Sequence, residues 1–128
     1  MPRHIWYISI ILIIAATAGW EWHAGRTFLG PDGRFGFWTG DIWGNACSQR
    51  VLDPYSFSHI GHGFIFYFFL WLVARWTPVN WRYLVALLVE AGWEILENSP
   101  LIIERYRHAT IAIGYSGDSI LNLSLIHI

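Results

Sequence analysis

Apolar residues along this chain fall into long runs rather than scattered positions, and the runs predict helices. The first is Ile5 to Trp20, IWYISIILIIAATAGW, with no charge in it. Trp6 and Trp20 stand near its ends, where aromatic belts sit in a bilayer. It falls a little short of the about 20 residues that a span needs, and flanking residues can extend it. The alternative is a secretory signal, with Arg3 and His4 as its basic start and Ala16-Thr17-Ala18 as a cleavage site. Either reading sends the chain to a membrane. Residues 21–52 are polar and rich in Gly and Trp, and Pro31-Asp32-Gly33 signals a turn. They predict a loop outside the membrane with little regular structure, touching the bilayer surface through Phe35, Phe37, Trp38 and Trp43.

Asp53-Pro54 opens the second helix, with Asp as N-cap and Pro at the first helical position. The run YSFSHIGHGFIFYFFLWLVARW that follows is long enough to span, interrupted only by His59 and His62. Thr77-Pro78-Val79-Asn80 is a tight turn, and a third helix runs from about Trp81 to Asn98. Ser99-Pro100 breaks it and starts a short new helix. Gly117-Asp118 caps the beginning of a fourth long helix. The expected fold is an all-α integral membrane bundle, three spans and the start of a fourth, in one domain over residues 1–122.

Composition agrees. Of the 128 residues 55% are hydrophobic and 13% charged, against about 25% charged in ordinary soluble domains. Too little charge remains to cover a water-facing surface, so lipid is the expected solvent and partner. Net charge is −1, which gives no footprint for nucleic acid. The single cysteine, Cys47, excludes an internal disulfide and a cysteine zinc cluster. All eight basic side chains are arginine, and Arg3, Arg75 and Arg82 flank the amino terminus and the short turn. The positive-inside rule then places both in the cytoplasm of a bacterial inner-membrane protein.

Ionisable residues within apolar helices are costly and read as functional by default. His59 and His62 are three apart, and Glu90, Glu94 and Glu97 form one helical stripe. In a hairpin turning between Trp76 and Asn80, His62 lies level with about Glu94 and His59 with about Glu97. Tyr55 extends the histidine face by a turn, and Asp118 and Asn122 enter on the same side, toward the outer leaflet. Four uses compete. The cluster can glue helices together or bind a partner, such as a second copy or an envelope protein, with Arg105 or Arg107 as counter-charges. It can hold a metal through His59, His62, Glu94 and Glu97. It can serve a lipid- or envelope-modifying enzyme, with Glu90, Glu94 and His62 as the catalytic candidates. It can relay protons in a transporter subunit. The residues name no cofactor.

The strings WTGDIWGNACSQ, DPYSFSHIGHGFIFY, EAGWEILENSPLIIERYR and GYSGDSILN resemble a family of alphaproteobacterial membrane proteins of unknown function, over roughly residues 20–122. The resemblance implies a multi-pass inner-membrane protein and no particular activity. The chain departs from the family at Arg50, where histidine is usual after Ser-Gln, and at TFLGPDGR, where early cysteines are usual. A weaker similarity, in polar pattern alone, is to VanZ-like membrane proteins. It aligns His59 or His62, Glu90 or Glu94, Arg105 or Arg107, Asp118 and Asn122. The final LSLIHI resembles translated sequencing-adapter sequence, so residues 123–128 are expected to be an artefact on a longer natural protein.

Overall fold

The computed structural model describes residues 2–42, 44, 46–108 and 117–126. Its elements are α1 (Arg3–His23), α2 (Ser56–Ala74), α3 (Val79–Glu97), α4 (Pro100–His108) and α5 (Ile120–Ile126). No strand forms among the described residues; one isolated parallel bridge joins Trp38 to Leu52. The expected all-helical class holds.

α1 outruns its apolar stretch and stops where the backbone makes it stop. Gly25 adopts φ +83, its N–H bonds the Trp22 carbonyl, and the Arg26 N–H bonds that of Glu21. This pair of bonds is a Schellman motif, which favours glycine at the left-handed position. α2 begins at Ser56, slightly later than the Asp-Pro pair suggested. Asp53 does cap, but it caps the turn that leads into the helix. α3 begins at Val79 because Pro78 occupies its N-cap, with ψ 144. The Thr77 hydroxyl donates to the Ala74 carbonyl and closes the end of α2.

α3 lies at the centre, packed on one side by α1 and on the other by α2, and α5 touches both outer helices. Trp6 packs against Tyr83 with ring centroids 5.6 Å apart, so α1 and α3 start at the same end and run parallel. The α2–α3 hairpin is antiparallel. Burial follows this arrangement: α3 buries Arg82, Leu84, Ala86, Leu87, Glu90, Ala91 and Glu94, whereas α2 buries only Ser56.

Two helices, α1 and α2, are long and apolar enough to cross a membrane. The expected third span is corrected here. α3 has the length, 19 residues, but Arg82, Glu90, Glu94 and Glu97 remove the required apolarity. The expected start of a fourth helix is present among the described residues as the seven-residue α5, which is too short to count as a span. Within the doubtful tail Leu123 is fully buried in α5, and residues 127–128 lie outside the described residues.

The segment between α1 and α2 has little regular structure, as its composition suggested, yet it is tied down. Val51 and Leu52 donate to the carbonyls of Gly36 and Phe37, and Thr39 donates to that of Leu52. Arg50 pairs with Asp32 at 2.6 Å and donates to the Arg34 carbonyl. Phe35, Phe37 and Trp38 are exposed, and Trp38 meets Phe57 of α2 edge-on at 6.2 Å. Trp43 lies outside the described residues. The first N–H groups around α5, which have no intrahelical acceptor, bond loop carbonyls: Ser119 to Ser48, Ile120 to Thr27 and Leu121 to Phe28.

Candidate functional site

His59 and His62 project from the first two turns of α2, and Glu90 and Glu94 from the last two turns of α3. His59 Nδ1 stands 2.7 Å from Glu94 Oε1 and 3.8 Å from Glu90 Oε1. The hairpin register is therefore about one turn away from the expected pairing of His59 with Glu97. The reason is the early start of α3 at Val79, which moves the centre of the turn toward Trp76. His62 meets His59 edge-on at 6.1 Å, stacks on Phe66 at 6.1 Å and touches the edge of Trp93 at 6.2 Å.

His59, His62 and Glu90 each offer a ligand atom, all within 4.8 Å of one another. These side chains are largely enclosed: the His59 side chain is 10% exposed, that of Glu90 7% and that of Glu94 1%. Several of their polar atoms have no hydrogen bond: His59 Nδ1, His62 Nδ1, both oxygens of Glu90 and Oε1 of Glu94. The 2.7 Å contact of His59 with Glu94 has the length of a charge-assisted hydrogen bond, but the two groups are not aligned to make one. Buried polar groups are nearly always satisfied, so this concentration of orphans needs an explanation. Glu97 is half-buried and does not join the group of ligand atoms.

A second polar network covers the first on the loop side. Asn98 Nδ2 donates to the Glu94 carbonyl and to Asp118 Oδ2, while Asn98 Oδ1 accepts the Asp118 N–H at 2.7 Å. Asn122 Nδ2 reaches the Arg50 carbonyl, and Gln49 Nε2 the Gly117 carbonyl, both at 2.7 Å. Gly117 has φ +89, and a Cβ there would stand 2.5 Å from Arg26 Nη1, so no other residue fits without displacing that arginine. Burial, and then the neighbouring Glu94 carboxylate, push the Asp118 carboxyl up to about 6.

Of the residues singled out from sequence, the structure brings together His59, His62, Glu90 and Glu94, with Asp118 and Asn122 in the cover. Tyr55 is 44% exposed just before α2. Arg105 and Arg107 are exposed on α4. The arginine at the network is Arg26, whose Nη2 donates to the Asn98 carbonyl and whose Nε lies 3.8 Å from Glu21, itself fully buried. Sequence reasoning passed over Arg26, Glu21, Gln49 and Asn98. Asn98 left a signal, since it continues the Glu90–Glu94 stripe at a spacing of four. Arg26 left none, because its partner is 72 residues away.

Cys47 is half-buried with Sγ 3.7 Å from Asp53 Oδ2. Burial, and then the Asp53 carboxylate, push its thiol up to about 12. The thiolate is the reactive form. Alkylation by iodoacetamide at pH 8, followed by mass, is therefore expected to run on the order of a thousandfold slower than for an unperturbed cysteine. A rate near that of a free thiol would contradict this placement.

An all-helical chain with a histidine–carboxylate centre closed inside a helix hairpin defines the class. The chain belongs to the family described as a protein of unknown function, DUF2585, which it matches over residues 5–127. It is 44% identical over 125 residues to a UPF0314 protein of Rhizobium etli (strain CIAT 652), covering 96% of this chain and 64% of that protein. It is 47% identical over 126 residues to a UPF0314 protein of Sphingopyxis alaskensis, covering 95% of this chain and 64% of that protein. A UPF0314 protein of Agrobacterium fabrum is 58% identical over 78 residues, 61% of this chain and 39% of that one. The chain thus spans about 64% of the length of the first two relatives. The relatives are alphaproteobacterial, as the motif blocks implied. No solved structure matches the chain.

Proposed function

We propose that this is a multi-pass protein of the bacterial inner membrane that binds a divalent transition metal between α2 and α3, on the loop side of the bundle. The observation that carries the metal reading is the set of enclosed, unbonded ligand atoms on His59, His62, Glu90 and Glu94. A cation satisfies lone pairs left without a hydrogen bond, and imidazole with carboxylate suits zinc, iron or manganese. Ligand atoms about 2.0–2.1 Å from a shared ion stand roughly 3–4 Å apart, so small rotamer changes bring His59, His62 and Glu90 into place. Glu94 then serves as the carboxylate that orients a ligating imidazole. Three protein ligands leave a coordination position for water or substrate, the arrangement of catalytic rather than structural zinc.

Membrane insertion is supported by α1 and α2 and by where the aromatic residues fall. Trp20, Trp22, Trp38 and Phe57 are exposed at the loop end, and Tyr7, Trp76 and Trp81 at the other. From Phe57 to Trp76 is about 28 Å of helix, close to the about 30 Å of a hydrocarbon core. The arginines around the α2–α3 turn favour a cytoplasmic position for that end and an outer-side position for the metal site.

The test is elemental analysis of purified protein beside a His59→Ala/His62→Ala double variant. A metal near one equivalent in the parent, lost in the variant, is the expected result. Metal-free samples of equal stability would overturn the reading. The 2.7 Å His59–Glu94 contact would then stand as an ion pair joining α2 to α3.

A further inference from the structure

The opposite end of the hairpin holds a charge without a counter-charge. Arg82 lies in the first turn of α3 and is 8% exposed. Its Nη1 donates to the Arg75 carbonyl at 3.2 Å, and its guanidinium carbon sits 5.7 Å from the Tyr67 ring centroid. Its Nε is buried with no acceptor. Among the described residues no carboxylate lies within ion-pair distance, and the sequence explains why: no Asp or Glu occurs between Asp53 and Glu90, or before Glu21. Trp6 on α1, packed on Tyr83, likewise buries an indole N–H without an acceptor. This end therefore carries Arg3, Arg75 and Arg82, two orphaned donors and no acid.

A guanidinium removed from water is stable only when paired, and removing one partner of such a pair costs several kcal/mol. A planar fork of N–H donors matches a phosphate or a carboxylate. We infer that Arg82 binds the phosphate group of an anionic membrane lipid at the α2–α3 turn. The lipid source follows from the surroundings. Exposed Trp76 and Trp81 flank the site as interfacial residues do, and the apolar outer faces of α1 and α2 reach it. Anionic lipids attract basic segments at the cytoplasmic surface, where the arginines place this turn. The inference rests on membrane insertion but is independent of the metal site.

The parent protein, Arg82→Met and Arg82→Lys are reconstituted in nanodiscs of phosphatidylcholine or of phosphatidylglycerol. Thermal unfolding and bound-lipid mass adducts are then compared. The parent is expected to melt higher in phosphatidylglycerol, by roughly 5 °C for about 1 kcal/mol of lipid binding, and to retain lipid adducts. Arg82→Met loses that difference, and melts higher than the parent in phosphatidylcholine because an unpaired buried charge is gone. Arg82→Lys keeps part of the difference. Equal melting of the parent in both lipids overturns the site, even if Arg82→Met fails to fold. Equal losses for Arg82→Met in both lipids would reduce Arg82 to a cap on Arg75 and overturn it as well. If inorganic phosphate in phosphatidylcholine discs reproduces the full shift, the ligand is free phosphate and the lipid assignment falls. A chain that enters neither disc overturns membrane insertion together with this inference.

Discussion

Asp53→Ala is expected to lower stability by about 2–4 kcal/mol, the largest loss from a single side chain in the loop. Asp53 is 1% exposed and its two oxygens hold two backbone segments. Oδ2 accepts the Ser48 N–H at 2.6 Å, and Oδ1 accepts the Ser56 N–H at 2.9 Å. Its own N–H bonds the Ser56 hydroxyl at 3.0 Å, a reciprocal arrangement like a capping box. Ser48 has φ +60, a conformation that non-glycine residues adopt at a cost, and the carboxylate helps to hold it there. Alanine leaves the buried Ser48 N–H without an acceptor, at roughly 1–3 kcal/mol, and removes the side-chain cap ahead of α2, while the Ser56 N–H keeps the Asp53 carbonyl at 3.1 Å. Thermal unfolding in detergent gives the loss, and Asp53→Asn, which keeps an acceptor, should restore about half of it. A fall below about 1 kcal/mol for alanine would show that water replaces these bonds and that the loop is not closed over Asp53.

The second large effect belongs to Asn98→Ala, at roughly 3 kcal/mol. Asn98 is 1% exposed and uses both ends of its amide, so alanine orphans the Asp118 N–H and removes a donor from the Asp118 carboxylate. The pH dependence sharpens the expectation. The folded-state pKa of Asp118 is raised from 3.8 to about 6, so the fold favours the neutral acid. That contribution to stability is complete below about pH 4 and is lost as pH rises through about 6. The Asn98 bond lowers the Asp118 pKa. Its removal should move the upper edge of this window above pH 6. Denaturant titrations between pH 4 and 8 read the shift, and parallel pH profiles for parent and variant would rule out the Asn98–Asp118 bond as its source.

How much of this was legible follows from the range of each interaction. Helix positions come from local patterning, and His59, His62, Glu90 and Glu94 share a site because a four-residue turn joins their helices. Even so, the register slipped by a turn, since Pro78 admits α3 two residues earlier than the aromatic Trp81 suggested. Its length and its place after the hairpin turn suggested α3 as a membrane span, and its charged residues deny it the required apolarity. The structure explains why its acids are tolerated: α1 and α2 cover its two sides, and the Glu90 and Glu94 carboxylates face His59. The cover was not legible. It joins Arg26, Arg50 and Gln49 to residues about 70 positions away, and nothing in local spacing marks such pairs. Arg105 and Arg107 drew attention as charges near an apolar helix, but α4 leaves both exposed.

The same separation sets an order in time. The candidate metal ligands lie within residues 59–94, on two helices joined by a short turn, and such local contacts form early. The cover needs segments far apart in the sequence, because Arg26 must meet Asn98 and residues 117–122 must meet the first loop. Closing loops of that length is entropically slower. The hairpin can therefore close while the side facing the loop is still open, and α5, which follows it in the sequence, helps to shut that side. On the proposed metal reading an ion enters most easily in that interval, so loading is expected to accompany folding rather than to follow closure of the cover.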